Sequence, residues 1–213
     1  MSTSRRVLTS ALAVVLCAGF AAAAQANPST NTGRAHRATS SVPPPTPETT
    51  TLGDLAALAV VSSDDIWSIG SKQQAGSYVP FAEHWDGAAW QAATLPVPPN
   101  TSRSYLLSGA AVSADDVWAV GGSLDPTGTV QSTLVEHWDG TDWSVVSSPN
   151  IGGPIDVLNG VSVVSANDVW AVGAGGSGSL IKSLVEHWNG HSWKIVSSPN
   201  VQGRNANQLN HLA

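Results

Sequence analysis

The tryptophans of this chain recur in a fixed register, and this recurrence limits the fold more than any other sequence feature. All nine tryptophans fall into three near-copies of one pattern. The first Trp of each copy lies in SSDDIWSIG (62–70), SADDVWAVG (113–121) or SANDVWAVG (165–173). The other two lie in and just after EHWDG or EHWNG, at Trp85 and Trp90, Trp138 and Trp143, and Trp188 and Trp193. A period of about 50 residues predicts an array of repeated structural units.

Each unit is predicted to contain four short antiparallel strands. In the third copy, GVSVV (160–164) is the first strand and VWAVG (169–173) is the second. SLVEHW (183–188) is the third strand, and HSWKIVSS (191–198) is the fourth. The apolar run of the second strand indicates burial on both of its faces. The sequence therefore predicts an all-β fold, a β-propeller with about three four-stranded blades visible, either a partial propeller or a fragment.

The last two strands of each unit are predicted to form a tight hairpin. Asp139-Gly140 is a preferred sequence for a two-residue type I′ turn, in which Trp138 would face Thr141. Because side chains alternate along a strand, Glu136 and His137 should point to opposite faces. This pair is therefore not expected to act on one substrate atom.

The second copy resembles a kelch repeat, which runs strand, turn, strand ending in Gly-Gly, and then an aromatic residue and a Trp across the last hairpin. It carries DVWAVGG (116–122) followed by EHWDGTDW (136–143). The resemblance covers nearly all of 52–213, although the other copies lack the double glycine and Trp stands where kelch repeats usually have Tyr. It implies a kelch-like β-propeller of a divergent, Trp-rich variety that resembles repeats in secreted actinobacterial proteins. An Asp-box or other tryptophan-rich propeller is the alternative.

Residues 1–26 are predicted to be a signal peptide. Arg5 and Arg6 precede an apolar run (7–24), and Ala24-Gln25-Ala26 has the small-x-small form of a cleavage site. The arginine pair is compatible with either the Sec or the twin-arginine (Tat) export route. An anchor that is never cleaved is the alternative reading. The protein is therefore expected to be secreted and extracellular.

The rest of the chain divides into a linker and a repeat region. Residues 27–51 are rich in Ser, Thr and Pro and predict a disordered linker. LNHLA (209–213) aligns with LNGVS (158–162), which predicts the start of a fourth repeat. The repeat region, 52–213, is thus divided into 52–100, 101–150, 151–200 and a truncated repeat, 201–213. Three explanations of the truncation stay open: a fragment of a longer reading frame, a homo-oligomeric ring closed by two or more copies, or an open arc with exposed edges.

Charge and cysteine content restrict the partners and cofactors. Residues 52–213 contain five basic and fourteen acidic residues, and a net charge of about −9 argues against nucleic acid and against an anionic membrane surface. Cys17 is the only cysteine and lies within the predicted signal peptide, so the mature chain has no disulfide and no Cys metal site. No calcium-loop or cofactor motif appears in the sequence, and neither a metal nor a cofactor is predicted.

The sequence lacks the site residues of two known types of enzymatic propeller, but a third type remains an alternative. A sialidase-like site would need three arginines, and the repeat region has two, Arg103 and Arg204. A kelch-type copper oxidase would need a Tyr that is cross-linked to Cys. A carbohydrate-active enzyme, either a glycoside hydrolase or a lyase, needs only two carboxylates and stays an alternative. No particular carboxylate pair is indicated, so no catalytic residue is predicted.

The repeated Glu-His pair has three interpretations. It could supply an acid and a base, or three histidines could converge on a metal: His84, His137 and His187. We favour the third interpretation, in which Glu and His bond backbone or indole N–H groups between units, because a feature of every unit is more often needed to build that unit. On the same reasoning, three aspartates are predicted to form turns: Asp65, Asp116 and Asp168.

Function is expected where the copies differ, in their loops. Four loop residues occur in no repeated register and are the candidate ligand-binding residues: Tyr78, Phe81, Arg103 and Tyr105. The predicted function is a secreted, non-catalytic β-propeller module that binds an extracellular protein or glycan. The alternatives are the carbohydrate-active enzyme and a structural cell-surface module.

Overall fold

The protein is an array of three similar sheets. The computed structural model describes residues 53–178, 180–201 and 206–212. These residues form three four-stranded antiparallel sheets, each with its strands in chain order. Among the residues described, no helix has the length and hydrophobicity that a membrane crossing requires. The predicted all-β fold with three four-stranded blades is confirmed.

Each predicted repeat supplies one sheet. The first sheet contains β1 (Gly53–Ser62), β2 (Asp65–Gln74), β3 (Ser77–Trp85) and β4 (Trp90–Ala93). The second contains β5 (Arg103–Ser113), β6 (Asp116–Leu124), β7 (Gln131–Trp138) and β8 (Trp143–Val145). The third contains β9 (Ile155–Ser165), β10 (Asp168–Ser177), β11 (Leu180–Trp188) and β12 (Trp193–Ile195). The predicted signal peptide and linker lie outside the described residues, as do 202–205 and 213 of the predicted fourth repeat.

The strand lengths differ from those predicted for the third repeat. The first strand begins at Ile155 rather than at residue 160, because its added residues pair with the glycine-rich end of β10, where Asp156 lies opposite Gly175. The fourth strand is only three residues long, and Val196 adds one further backbone hydrogen bond, to Val185. Proline follows shortly afterwards in SSPN (197–200), and proline has no N–H to continue a ladder.

One glycine in the second strand of every repeat is required by close backbone approach. A Cβ atom on Gly121 would lie 2.0 Å from the Tyr105 carbonyl oxygen. Gly70 and Gly173 would meet the equivalent carbonyl oxygens at 2.1 and 1.9 Å. The facing strand has a register shift at this level in each sheet, which brings its backbone against the glycine. The glycine repeated in VWAVG is therefore a structural requirement of the sheet.

The connection between β7 and β8 is longer than predicted. Trp138 pairs with Trp143, so the four residues 139–142 form the connection. The predicted pairing of Trp138 with Thr141 is therefore wrong. The equivalent Trp pairs of the first and third sheets enclose four-residue connections as well, at 86–89 and 189–192.

The side chain of Asp139 closes this connection. Its Oδ1 accepts the backbone N–H groups of Thr141 and Asp142, at 2.9 and 3.0 Å. Gly140 has a φ of +90°, but Asp139 does not have the positive φ that a type I′ turn needs at both central residues. The register error of two residues leaves every side chain on its predicted face, because side chains alternate with a period of two.

Two hydrophobic clusters join neighbouring sheets. In the first cluster, Trp67, Ile69 and Ala82 of the first sheet pack against residues of the second sheet: Leu106, Val117, Ala119, Leu134 and Trp143. In the second cluster, Trp118, Val120 and Val135 of the second sheet pack against residues of the third sheet: Leu158, Val161, Val169, Ala171, Leu184 and Trp193. The second sheet thus presents one face to the first sheet and the other to the third. Burial of one such aromatic side chain stabilises the fold by roughly 2–3 kcal/mol.

The tryptophan contacts between sheets are repeated almost unchanged. The Trp67 ring lies 5.0 Å from Trp138 and 5.2 Å from Trp143. The Trp118 ring lies 5.0 Å from Trp188 and 5.4 Å from Trp193. Trp67 and Trp118 therefore each contact both hairpin tryptophans of the following repeat.

Residues 206–212 lie against the third sheet. Leu209 donates its N–H to the Gly173 carbonyl at 3.1 Å, and its own carbonyl accepts the Asn159 side-chain amide at 3.0 Å. Ala206 forms an isolated parallel bridge with Ile181. The segment occupies the side of the third sheet that a following repeat would cover, although it does not form a strand.

Candidate functional site

Each repeat contains an Asp–His–Trp unit built across two strands. In the second sheet, Trp118 on β6 lies directly opposite His137 on β7. The two rings pack at an interplanar angle of 31° with their centroids 4.2 Å apart, and His137 Nε2 shares a hydrogen bond with Asp116 Oδ1 at 2.9 Å. The first and third sheets repeat this geometry, with His–Asp distances of 2.8 and 2.9 Å and ring distances of 4.5 and 4.3 Å.

This unit changes the interpretation of the repeated histidines and aspartates. Asp116 is the first residue of β6 and binds His137, so the prediction that it forms the turn is wrong. The turns themselves consist of the two preceding residues, as in Ser63 and Asp64. Each His is tied to an Asp of its own repeat, and no cluster of three or more metal-ligating side chains occurs in the described part of the chain. The three units hold the tryptophans in position for the packing between sheets.

The repeated glutamates point away from the histidines and into the packing between sheets. Glu136 is fully buried, and neither of its carboxyl oxygens has a hydrogen-bond partner. The expectation that the glutamates bond backbone or indole N–H groups is therefore wrong for Glu136, and the buried indole N–H of Trp118 likewise has no acceptor. Burial raises the pKa of Glu136 to about 8, because a carboxylate without water or donors is poorly solvated. The same cause raises the pKa of Glu83.

The boundary between the second and third repeats holds a polar network that sequence reasoning missed. Ser148 donates to Glu186 Oε2 at 2.6 Å. Burial raises the pKa of Glu186 to about 7, the Ser148 hydrogen bond opposes this rise, and the charge of Asp156 adds to it. Asp156 is also buried, and it accepts the N–H groups of Ile151 and Gly152. The sequence does contain a sign of this network: Ser148 is polar, whereas Leu95 is apolar at the equivalent position of the first repeat.

Three of the four candidate ligand-binding residues meet where the first and second repeats adjoin. Arg103 begins β5, Tyr105 follows two residues later on the same face, and Tyr78 comes from β3 of the preceding repeat. The Arg103 guanidinium lies 4.6 Å from the centre of the Tyr78 ring and 5.4 Å from that of Tyr105. Arg103 is exposed, while both tyrosines are half-buried. We call these three residues the Arg103 patch.

Tyr105 is held in place by residues that sequence reasoning did not select. The Gln131 side-chain amide donates to its hydroxyl oxygen at 2.6 Å. Gly122 leaves room for the ring, because a Cβ atom there would lie 3.1 Å from that hydroxyl. Burial raises the pKa of Tyr105, and the Arg103 charge and the Gln131 hydrogen bond oppose this rise. The patch therefore presents a fixed aromatic surface with one exposed cation.

Phe81 does not belong to the patch. Its side chain is only 5% exposed, and the Lys72 ammonium lies 4.7 Å from the centre of its ring. A buried ring offers no contact area to a partner, so Phe81 is a core residue of the first sheet rather than a ligand-binding residue. The sequence did not reveal this, because Phe81 follows a variable loop but is already the fifth residue of β3.

The Arg103 patch is chemically suited to binding. A guanidinium group presents several N–H donors in a planar fork that matches a carboxylate. Stacking against aromatic rings leaves those donors available in the plane of the group, and contributes about 0.5–1 kcal/mol at an exposed site. Tyr and Arg are also the residue types that most often dominate binding energy at interfaces.

No protein-family model and no curated protein matches this chain. A solved structure that is similar to it is described as YCF48 bound to D1 peptide, with 14% sequence identity and a TM-score of 0.45. The match covers 68% of this chain and 40% of that chain, so this chain spans about two fifths of that protein's length. The β-propeller-type repeat of this chain is shown by its own three four-stranded sheets.

Proposed function

We propose that this chain is a secreted, non-catalytic binding module of kelch-like β-propeller type, which recognises an extracellular protein or glycan through the Arg103 patch. The N-terminal pattern of residues 1–26 supports export, and the single double glycine and the paired hairpin aromatics support the kelch-like assignment. The observation that carries the binding function is the exposed Arg103 guanidinium within cation–π distance of two tyrosine rings.

The chemistry of the patch favours a ligand that carries a carboxylate. Residues 52–213 contain fourteen acidic and only five basic residues, of which Arg103 is one, so most of the surface repels an anionic ligand. A carboxylate would find a bidentate partner at Arg103 and flat apolar surface at Tyr78 and Tyr105. Because the guanidinium is already held against the rings, less side-chain entropy is lost when a ligand binds. The carboxylate can belong to an Asp or Glu side chain or to an acidic sugar.

Binding to two arrays distinguishes a peptide carboxylate from a sugar carboxylate. One array carries peptides with Asp or Glu beside the same peptides with Asn or Gln, and the other carries uronic or sialic acid glycans beside neutral ones. We expect binding that requires the carboxylate on one array and that is lost in Arg103→Gln. Lys194→Gln, which removes an exposed cation on β12, is the matched control and should bind normally. Absence of carboxylate-dependent binding on both arrays, or unchanged binding by Arg103→Gln, contradicts the proposal.

The catalytic alternative is tested separately. The full chain is incubated with a glycan panel, and the products are followed by mass spectrometry. A binding module leaves every glycan intact, whereas reproducible cleavage would show a carbohydrate-active enzyme and overturn the non-catalytic proposal.

A further inference from the structure

An open groove lies at the boundary between the second and third repeats. It encloses about 500 Å³, within the usual range for sites that bind small ligands. One side is formed by β8 and the residues after it (145–149), and the other by the outer hairpin of the third repeat: Trp188, His191, Ser192 and Trp193. None of these residues belongs to the Arg103 patch.

The aromatic side of the groove is rigid. The Trp188 and Trp193 rings lie 6.0 Å apart, and Trp188 also packs 5.0 Å from Trp118. The Trp188 indole N–H is bonded to the Ala166 carbonyl at 3.2 Å, so its ring is fixed and its polar edge is already used. Trp193 is only 4% exposed and supports Trp188 from behind, so what the groove offers a ligand is the apolar ring surface of the half-buried Trp188.

The polar side chains that line the groove are the hydroxyls of Ser147, Ser148 and Ser192 and the imidazole of His191. Asn189 Oδ1 accepts the N–H groups of His191 and Ser192, both at 3.1 Å, and so fixes the loop that carries these two side chains. On the other side, the Ser148 hydroxyl donates a hydrogen bond to Glu186 Oε2; Glu186 is fully buried, and its Oε1 has no hydrogen-bond partner. The Ser148 oxygen also lies 3.0 Å from the Thr133 hydroxyl, which occupies one of its lone pairs and leaves the other for a donor from the groove.

The equivalent place of the first repeat is filled. Leu95 stands where Ser148 stands, is 9% exposed, and packs in the hydrophobic cluster that contains Trp143. The second boundary thus carries a hydroxyl where the first carries an apolar side chain. This difference sets the second boundary apart from the first, although the Trp contacts of the two are the same.

We propose that this groove binds a neutral pyranose unit of a glycan. A pyranose presents apolar C–H groups on one face and hydroxyls around its edge, which match the Trp188 ring on one side and Ser148, His191 and Ser192 around it. His191 is the only ionisable residue that lines the groove, and the buried Glu186 carboxyl lies directly behind Ser148. The groove is lined by no lysine or arginine that would pair with an anionic ligand, and such a ligand would lie close to the Glu186 carboxyl, so a neutral sugar is favoured. This site does not depend on the Arg103 patch.

The test is titration of the full chain with neutral disaccharides. Cellobiose, maltose and N,N′-diacetylchitobiose are the probes, glucuronic acid is the anionic comparison, and binding is followed by calorimetry and by tryptophan fluorescence. At least one neutral disaccharide should bind saturably and more tightly than glucuronic acid. Failure of all three to bind, or tighter binding of glucuronic acid, overturns the proposal.

The location is tested by filling the groove. Ser147 is exposed and lines the groove, so Ser147→Tyr should leave the fold intact and weaken sugar binding by at least about tenfold, or 1.4 kcal/mol. Thr94→Tyr is the matched control, because Thr94 is exposed at the equivalent place of the first repeat and does not line the groove. His191→Ala gives a second variant, which should weaken binding without adding bulk. Sugar binding that Ser147→Tyr leaves unchanged would also overturn the proposal, whereas Arg103→Gln should have no effect.

Discussion

The buried glutamates show how burial without hydrogen-bond partners determines the protonation state of a carboxyl group. Glu136 and His137 are adjacent in sequence, yet His137 is hydrogen-bonded to Asp116 while Glu136 has no partner at all. A carboxyl group in such surroundings is more stable with its proton than without it. The glutamate of each repeat therefore makes the fold sensitive to pH.

We predict that the free energy of unfolding falls as the pH rises from about 4.5 to about 8. Over this window folded Glu136, with its pKa of about 8, keeps a proton that the unfolded chain has already released, since the ordinary value is 4.5. The contribution is fully present below pH 4.5 and is lost above pH 8, with a slope of at most about 1.4 kcal/mol per pH unit for one group. Urea denaturation at a series of pH values measures this decline.

Glu136→Gln should flatten the decline, because an amide does not ionise. Glu186 contributes a decline of the same sign that ends near pH 7, and this part should remain. Asp142→Asn, at an exposed position of the same hairpin, is the control and should leave the slope unchanged. Wild-type stability that is constant or rises with pH in this window would contradict the prediction.

Ser148 is predicted to hold the pKa of Glu186 down. Ser148→Ala removes the hydrogen bond that favours the carboxylate, so the pKa of Glu186 should rise above about 7. Titration of the side-chain carboxyl signal by NMR measures the shift. Ser147→Ala is the control, and an unchanged or lower pKa in Ser148→Ala would exclude this role.

At the scale of the strands, the repeated glycine is predicted to be irreplaceable. Gly121→Ala places a Cβ atom 2.0 Å from the Tyr105 carbonyl, so the β5–β6 pairing must shift, at a cost of at least about 2 kcal/mol. Gly122→Ala meets only the ends of the Gln131 and Tyr105 side chains, and alanine stands at this position in the third repeat as Ala174. Thermal and urea denaturation should show a much larger loss for Gly121→Ala, and equal losses would show that the close approach is not limiting.

Strand order and strand faces could be predicted from the sequence, while the hairpin register could not. The alternation of Glu136, His137 and Trp138 fixes which side chains share a face, and this survives any register shift of two residues. The register depends on Asp139, whose side chain accepts two N–H groups and thereby lengthens the turn. Asp-Gly is compatible with both the predicted two-residue turn and the observed four-residue connection. The surrounding hydrogen bonds, rather than the dipeptide, therefore determine which one forms.

At the scale of the whole molecule, stability is predicted to depend on the tryptophans between sheets. Trp118 is 2% exposed and contacts both hairpin tryptophans of the third repeat, whereas Trp170 is only half-buried and is held by His187 and Asp168. Trp118→Ala should therefore cost about 3–5 kcal/mol. Trp170→Ala should cost less than half as much in urea denaturation, and an equal cost would contradict the role of the inter-sheet contacts.

Closure of a ring by a second copy stays a prediction. Residues 206–212 already lie against Gly160 and Gly173 on the side of the third sheet that another repeat would cover. A second copy that closed the ring would therefore meet this segment at that side of the third sheet. Light scattering of the full chain measures the mass directly, and a well-folded monomer would exclude closure by a second copy.

The sequence by itself determined the three repeats, the four strands in each, and the faces on which the tryptophans lie, because these follow from periods along the chain. Only the tertiary structure decided which residues of different repeats meet. Tyr78 and Arg103 are 25 residues apart and form one patch, while Phe81, three residues after Tyr78, is buried. For the same reason, the sequence did not show that Glu136 lacks the N–H donors that were predicted for it. Contacts of this kind depend on how one sheet packs on the next, and no local pattern along the chain encodes that packing.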